Sequence, residues 1–157
     1  MNRKTAMVAA ALFGAMLLGN TAFAQATASN DGEASLYDRL GGLMPASVVV
    51  SDFIDALIQD PQLNQNPAID AARKRVPAAY LKYQVTAFVC MATGGPCDYT
   101  GREMEESHAH LNITPEEWDR MMITFRQVLA THEVPEREAR ELVELLGTTR
   151  DAIVSGG

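Results

Sequence analysis

Cysteine is scarce in this sequence, which has only two among its 157 residues, Cys90 and Cys97. Six residues separate them, and this spacing excludes both the Cys-x-x-Cys motif of redox proteins and the Cys-x-x-Cys-His attachment of a c-type haem. In an oxidising compartment such a pair closes into a structural disulfide, whereas in a reducing one it stays as two free, redox-sensing thiols. The N-terminal segment resembles an export signal and therefore favours the disulfide.

Long apolar runs are also missing, except for one near the N-terminus. Residues 6–18 are apolar or small; they follow Arg3 and Lys4 and precede Ala22-Phe23-Ala24, a small-x-small cleavage site. The run is shorter than the ~20 residues that span a bilayer, and no cysteine follows the cleavage site to carry a lipid. We therefore expect a cleaved signal peptide over 1–24, a flexible segment over 25–34, and a periplasmic or secreted domain without a membrane anchor.

Positive charge is in the minority, since 13 Lys and Arg stand against 20 Asp and Glu, for a net charge of −7. Loss of Arg3 and Lys4 with the signal peptide lowers this to −9 over the remaining 133 residues. Nucleic acids and anionic membrane surfaces are bound through an excess of cations. The acidic balance therefore excludes both as partners.

Alternating β-branched runs are absent, and apolar residues recur at helical spacing through the mature chain. The sequence therefore predicts an all-α domain of five or six helices. Gly41-Gly42 closes a short helical start over 35–40, and Gly94-Gly95 ends a helix that begins at Ala78.

Further helices precede and follow, in the sequence, the helix that begins at Ala78. The preceding helix has apolar residues from Val49 to Leu57 and ends near Asp60-Pro61. Polar residues over 62–70 then predict a connecting loop. Thr114-Pro115-Glu116-Glu117 predicts a capping box that opens a helix reaching His132. Pro135 begins the last helix.

Histidine is rare as well, with three in the chain. At helical spacing, His108 shares an otherwise apolar face with Met104 and Leu111, so it is either a metal or haem ligand or a core residue bonded to a carbonyl. His110 lies about 200° further around such a helix and is expected to be solvated. His132, in the last turn of its helix, suits the negative end of the helix dipole.

A surface copper or zinc site is the alternative for the first two histidines. His108 and His110 would act with Glu105 and Glu106, which requires a non-helical segment. This alternative corresponds to a haem-free metal-binding or stress protein.

Several motifs resemble those of group 1 truncated haemoglobins over nearly the whole mature chain. They are Ser-Leu-Tyr-Asp-Arg-Leu-Gly-Gly over 35–42, Val-Val-Val-Ser-Asp-Phe over 48–53, Gly-Gly-Pro over 94–96, Tyr-Thr-Gly over 99–101, Met104, and His-Ala-His-Leu-Asn-Ile-Thr over 108–114. The resemblance implies a truncated globin domain over 35–155, in which a two-over-two helical sandwich surrounds haem b.

The resemblance also implies site residues, with His108 as the proximal iron ligand. Residues implied to line the proximal side or the haem edge are Met104, Leu111, Ile113, Trp118, Met121 and Tyr99. Candidates for the distal side and its surroundings are Phe53, Ile54, Leu81, Gln84, Val85 and Phe88. At Trp118 and Met121, plain core packing is an equal alternative.

The distal side departs from the family pattern. Ile54 stands where the family commonly has a tyrosine, and 64–67 lacks the family's aromatic pair. Either Gln84 or Val85 takes the second distal position, so Gln84 is the best remaining hydrogen-bond donor and Tyr83 the next. A donor matters because bound dioxygen carries partial negative charge on its outer atom.

The implied function is reversible binding of a diatomic gas, such as dioxygen, nitric oxide or carbon monoxide, at haem iron. A nitric-oxide dioxygenase or a peroxidase-like enzyme is the alternative. Either enzyme would need an electron donor, and the sequence has no dinucleotide fingerprint to supply one.

Overall fold

The structure is a computed structural model that describes residues 34–155. Its eight α-helices are α1 (Leu36–Arg39), α2 (Leu43–Gln59), α3 (Pro67–Arg75), α4 (Ala78–Ala92), α5 (Met104–His108), α6 (Pro115–Thr131), α7 (Glu136–Gly147) and α8 (Arg150–Ile153), with 3₁₀ turns at Leu63–Gln65 and Ala109–Leu111. In this range the only β pairing is an isolated bridge between Ile113 and Val154. The all-α prediction is confirmed, and the short α1, α5 and α8 raise the helix count.

The predicted signal peptide over 1–24, and the flexible segment as far as residue 33, lie outside the described residues. Among the described helices, none combines the length and apolar character needed to cross a bilayer.

The core lies where α2 packs against α4 and α6. Val50, Phe53 and Ile54 of α2 are buried at its centre. The Phe53 ring meets Phe125 of α6 with 5.0 Å between centroids, a separation that favours aromatic contact. A second buried cluster contains Trp118, Met122 and Ile153, and Met104 of α5 packs against it.

A Schellman motif ends α4 at the predicted glycine pair. Gly94 has φ +88°, and the N–H groups of Gly94 and Gly95 donate to the carbonyls of Met91 and Cys90 at 3.1 and 2.8 Å. A Cβ on Gly95 would lie 2.6 Å from the ring of Tyr37 and 2.8 Å from the carbonyl oxygen of Cys90. Only glycine therefore fits where α1 packs on the end of α4.

The predicted disulfide is confirmed, with Cys90 and Cys97 bonded and their Cα atoms 5.7 Å apart. Cys90 is fully buried in the last turn of α4. The bond therefore fixes the loop that leads from α4 towards α5.

Removing this disulfide is expected to lower the free energy of unfolding by about 2 kcal/mol, because a small loop is no longer closed in the unfolded chain. Denaturant unfolding of a Cys90→Ala/Cys97→Ser double variant measures the loss, with chemically reduced wild type as the matched control. Two alkylated thiols in unreduced protein, detected by mass spectrometry, would contradict the bond.

The predicted loop over 62–70 is wrong, since the segment contains a 3₁₀ turn and the start of α3. The side chain of Asn66 accepts the N–H groups of Ala68 and Ile69 at 2.9 and 3.3 Å, and Pro67 takes the first helical position. Asn-Pro was interpreted as a turn signal, although the same dipeptide is also suited to start a helix.

Candidate functional site

His108 is the last residue of α5, and its side chain is half-buried. Its Nδ1 lies 2.7 Å from the carbonyl oxygen of Met104. A carbonyl oxygen only accepts, so Nδ1 carries the proton and the lone pair is left on Nε2. Among the described residues Nε2 has no hydrogen-bond partner.

The pKa of His108 is lowered from its usual value. Burial is the main cause and the nearby His110 and Arg102 add to it, whereas the bond to the Met104 carbonyl acts in the opposite direction. The imidazole is therefore neutral at pH 7, which is the form that ligates a metal.

The chain leaves the α-helical path directly after His108. Residues Ala109–Leu111 form a 3₁₀ turn, and Asn112 follows with φ +49°. His110 is exposed, as predicted. No group of three or more His, Cys, Asp or Glu within residues 34–155 is arranged to hold a metal ion, so the structure does not support the surface copper or zinc site.

The buried cluster of Trp118, Met122 and Ile153 packs against α5. Met104, Ile113 and Met121 pack against this cluster while remaining partly exposed. Met121 also contacts the α2 cluster, so it lies between the two parts of the core.

Two adjacent stripes of side chains along helix α4 contact different parts of the protein. Leu81, Val85 and Val89 pack against the α2 cluster. Phe88 instead meets the ring of Tyr99 edge-on, with 5.4 Å between centroids, and Gln84 lies one turn before Phe88. The second stripe therefore borders the loop that leads to α5.

Tyr99 connects this stripe to the approach to His108. Its hydroxyl donates to the carbonyl of Arg102 at 2.8 Å. The pKa of Tyr99 is raised, first by burial and then by the charges of Tyr80 and Glu103.

Gln84 is held by Tyr80, a residue that the sequence analysis did not identify. Gln84 Nε2 donates to the Tyr80 hydroxyl at 2.9 Å, while Gln84 Oε1 is shielded from solvent without a partner. The i, i+4 spacing of a tyrosine and a glutamine was the available signal. Tyr83, the other predicted donor, is 64% exposed, so it lies on the outer face of α4.

A polar network lies at a second edge of the site, where α3 meets the turn after His108. Asn66 Nδ2 donates to the Leu111 carbonyl at 3.0 Å and to Glu117 at 3.2 Å. These bonds join the start of α3 to the turn after His108. They occupy the stretch in which the family's aromatic pair is missing.

Buried Asp60 anchors the same edge. One carboxylate oxygen accepts the N–H groups of Gln62 and Leu63 at 2.8 and 3.2 Å, and the other accepts Nε of Arg120 at 2.7 Å. Burial by itself raises the pKa of Asp60, but these hydrogen bonds outweigh it and the pKa is lowered. The carboxylate therefore stays charged and fixes the 3₁₀ turn before α3.

The predicted haem-contact residues differ in burial. A side chain that contacts a ligand needs surface not covered by protein. Those that remain partly exposed are His108, Met104, Leu111, Ile113, Tyr99, Met121, Phe88, Leu81, Gln84 and Val85. Phe53, Ile54 and Trp118 are only 7%, 4% and 4% exposed, so the structure places them in the core and leaves them little surface for direct contact.

His132 lies at the C-cap of α6, near the predicted helix end. Its Nε2 is 2.9 Å from a carboxylate oxygen of Asp52 in α2. The side chain therefore has a specific partner on another helix in addition to the helix dipole.

Comparison with known proteins gives matches over the same region. The family model for bacterial-like globins matches residues 35–155. The group 1 truncated haemoglobin GlbN of Synechocystis sp. is 30% identical over 118 residues, covering 72% of this chain and 90% of that protein. GlbN of Mycolicibacterium paratuberculosis is 28% identical over 123 residues, covering 78% and 86%.

Solved structures agree on the fold. Truncated haemoglobin of Tetrahymena pyriformis in its Fe(III) form superposes with a TM-score of 0.68 at 22% identity, covering 78% of this chain and 100% of that one. The 2/2 haemoglobin of Synechococcus sp. PCC 7002, solved with covalently attached haem, also gives 0.68 at 24% identity, covering 77% and 98%. The family model and the Synechocystis relative together show that this chain belongs to the bacterial-like globin family, as a group 1 truncated haemoglobin.

Proposed function

We propose that this chain binds haem through Nε2 of His108 and reversibly binds a diatomic gas, such as dioxygen, nitric oxide or carbon monoxide. The observation that carries the proposal is the hydrogen bond from His108 Nδ1 to the Met104 carbonyl, which leaves the Nε2 lone pair without a partner among the described residues. When bound, haem would supply an iron that Nε2 of His108 would hold and that would bind the gas.

The surrounding side chains fit a flat apolar group. Leu81 and Phe88 on α4, and Met104 and Leu111 on the other side, keep part of their surface accessible. Gln84 adds an amide whose buried oxygen has no partner, so one polar group stands beside the apolar side chains.

Haem b is the form that the chemistry of this chain favours. Thioether attachment of a c-type haem uses free cysteines in a Cys-x-x-Cys-His motif, whereas both cysteines here form a disulfide. Haem without a thioether bond, held by His108, is therefore proposed.

The periplasm or the cell exterior is the proposed location. The support is the export signal in the sequence together with the disulfide, since such bonds persist in oxidising compartments. A ferrous gas-binding protein in that location also needs a separate electron donor, which we propose as its second partner.

Titration of the unloaded protein with ferric haem tests this function. We expect a Soret band that saturates at one haem per chain, and a shifted band after reduction with dithionite under carbon monoxide. The His110→Ala variant is the matched control and should titrate like wild type, because His110 is exposed. A flat titration without a Soret band would refute the proposal.

A further inference from the structure

We infer that Tyr80 is a positioning residue that holds the Gln84 amide at the distal side of the site, where either end of the amide can be turned towards the gas ligand. The inference rests on the proposed function, because it concerns the distal side of the same site. It depends on three features: the Tyr80–Gln84 hydrogen bond, the buried Gln84 oxygen, and the absence of a tyrosine at position 54.

The two ends of the Gln84 amide have opposite chemistry. Nε2 donates hydrogen bonds and Oε1 only accepts them. In the structure Nε2 donates outward to the Tyr80 hydroxyl, so the buried Oε1 is the inner end. The inner end is thus an acceptor, which suits a ligand with a hydrogen atom, such as water.

A half-turn of the amide reverses this arrangement without loss of the bond to Tyr80. A phenol hydroxyl both donates and accepts, so it can donate to Oε1 while Nε2 turns inward. Tyr80 is 55% exposed, which leaves its hydroxyl free to rotate. The inner end then becomes a donor, which suits the partial negative charge of dioxygen.

The other predicted distal positions provide no competing donor. Ile54 is aliphatic, Val85 packs against the α2 cluster, and Tyr83 lies on the outer face of α4. Discrimination between a donating and an accepting ligand is therefore assigned to Gln84, with Tyr80 stabilising both orientations.

The first test uses the unloaded protein, so that it does not depend on haem. Side-chain amide NMR of Gln84 should show one Nε2 proton shifted downfield by the bond to Tyr80. That shift should be lost in Tyr80→Phe and kept in Tyr83→Phe, the matched control on the same helix. An unchanged Gln84 signal in Tyr80→Phe would overturn the inference.

The second test uses the loaded protein and a thermodynamic cycle. Tyr80→Phe should shift the infrared C–O stretching band of the carbon monoxide complex and speed dioxygen release about threefold to tenfold, the range of one neutral hydrogen bond. In a Gln84→Leu background the same change should have no effect, because Tyr80 acts through Gln84.

The outcomes separate the two proposals. Absence of a Soret band in wild type refutes the haem function itself. A normal Soret band, with a Tyr80→Phe effect that is absent or persists in the Gln84→Leu background, leaves the haem function standing and overturns the role of Tyr80.

Discussion

Replacing His108 with alanine is expected to abolish stable haem incorporation. The variant removes the imidazole whose Nε2 has no partner among the described residues, and bound iron would lose the ligand proposed for it. Ligand-linked stabilisation should vanish with it; for wild type this amounts to about 4 kcal/mol at a thousandfold excess of haem over its dissociation constant. Haem titration and thermal unfolding with and without haem measure both losses.

Added imidazole provides the specific control for this variant. Free imidazole can occupy the cavity left by the side chain, so it should restore part of the Soret band in His108→Ala. His110→Ala should need no rescue. Full haem content and wild-type spectra in His108→Ala without imidazole would show that another group ligates the iron.

Substituting Ile54 with tyrosine is expected to slow dioxygen release about 10- to 150-fold. Ile54 is aliphatic and buried, so it offers no hydrogen bond. A tyrosine is longer and can carry its hydroxyl beyond the core surface to donate to a strongly polar acceptor, a bond worth about 1.5 to 3 kcal/mol. Ile54 is buried beside Val50 and Phe53, so the larger ring should also lower the free energy of unfolding by about 1 to 3 kcal/mol. Stopped-flow release and denaturant unfolding measure the two effects separately.

Gln84→Leu is the companion variant and should speed release by no more than about tenfold, because the Gln84 amide presents Oε1 inward and must turn before it can donate. Ile54→Phe controls for ring size without a hydroxyl. If Ile54→Tyr leaves release unchanged while Gln84→Leu speeds it far more, Gln84 already holds the ligand firmly and the weakly stabilising pocket is the wrong description.

The sequence predicts the parts of the fold that depend on local patterns. The glycine pairs, the capping box at Thr114 and the disulfide all rest on short-range chemistry, and each is present in the structure. The helical all-α class follows from apolar spacing in the same way.

Long-range contacts explain what the sequence does not predict. An inward face is evident for Trp118, but only packing shows that Met122 and Ile153 surround it. The family resemblance likewise leaves Gln84 and Val85 as alternatives for the second distal position. The structure gives them different neighbours, which are the α2 cluster for Val85 and Tyr80 for Gln84. The start of α3 was missed because its polar composition gives no apolar stripe.

The two edges of the site are closed by bonds of very different strength. On one edge, the Cys90–Cys97 bond fixes the loop that carries Tyr99. On the other, hydrogen bonds from Asn66 to Leu111 and Glu117 join α3 to the turn after His108. The disulfide does not break under native conditions, whereas hydrogen bonds near solvent break and re-form readily. The α3 edge is therefore the one expected to open first under native conditions, while the disulfide keeps the loop before Tyr99 in place.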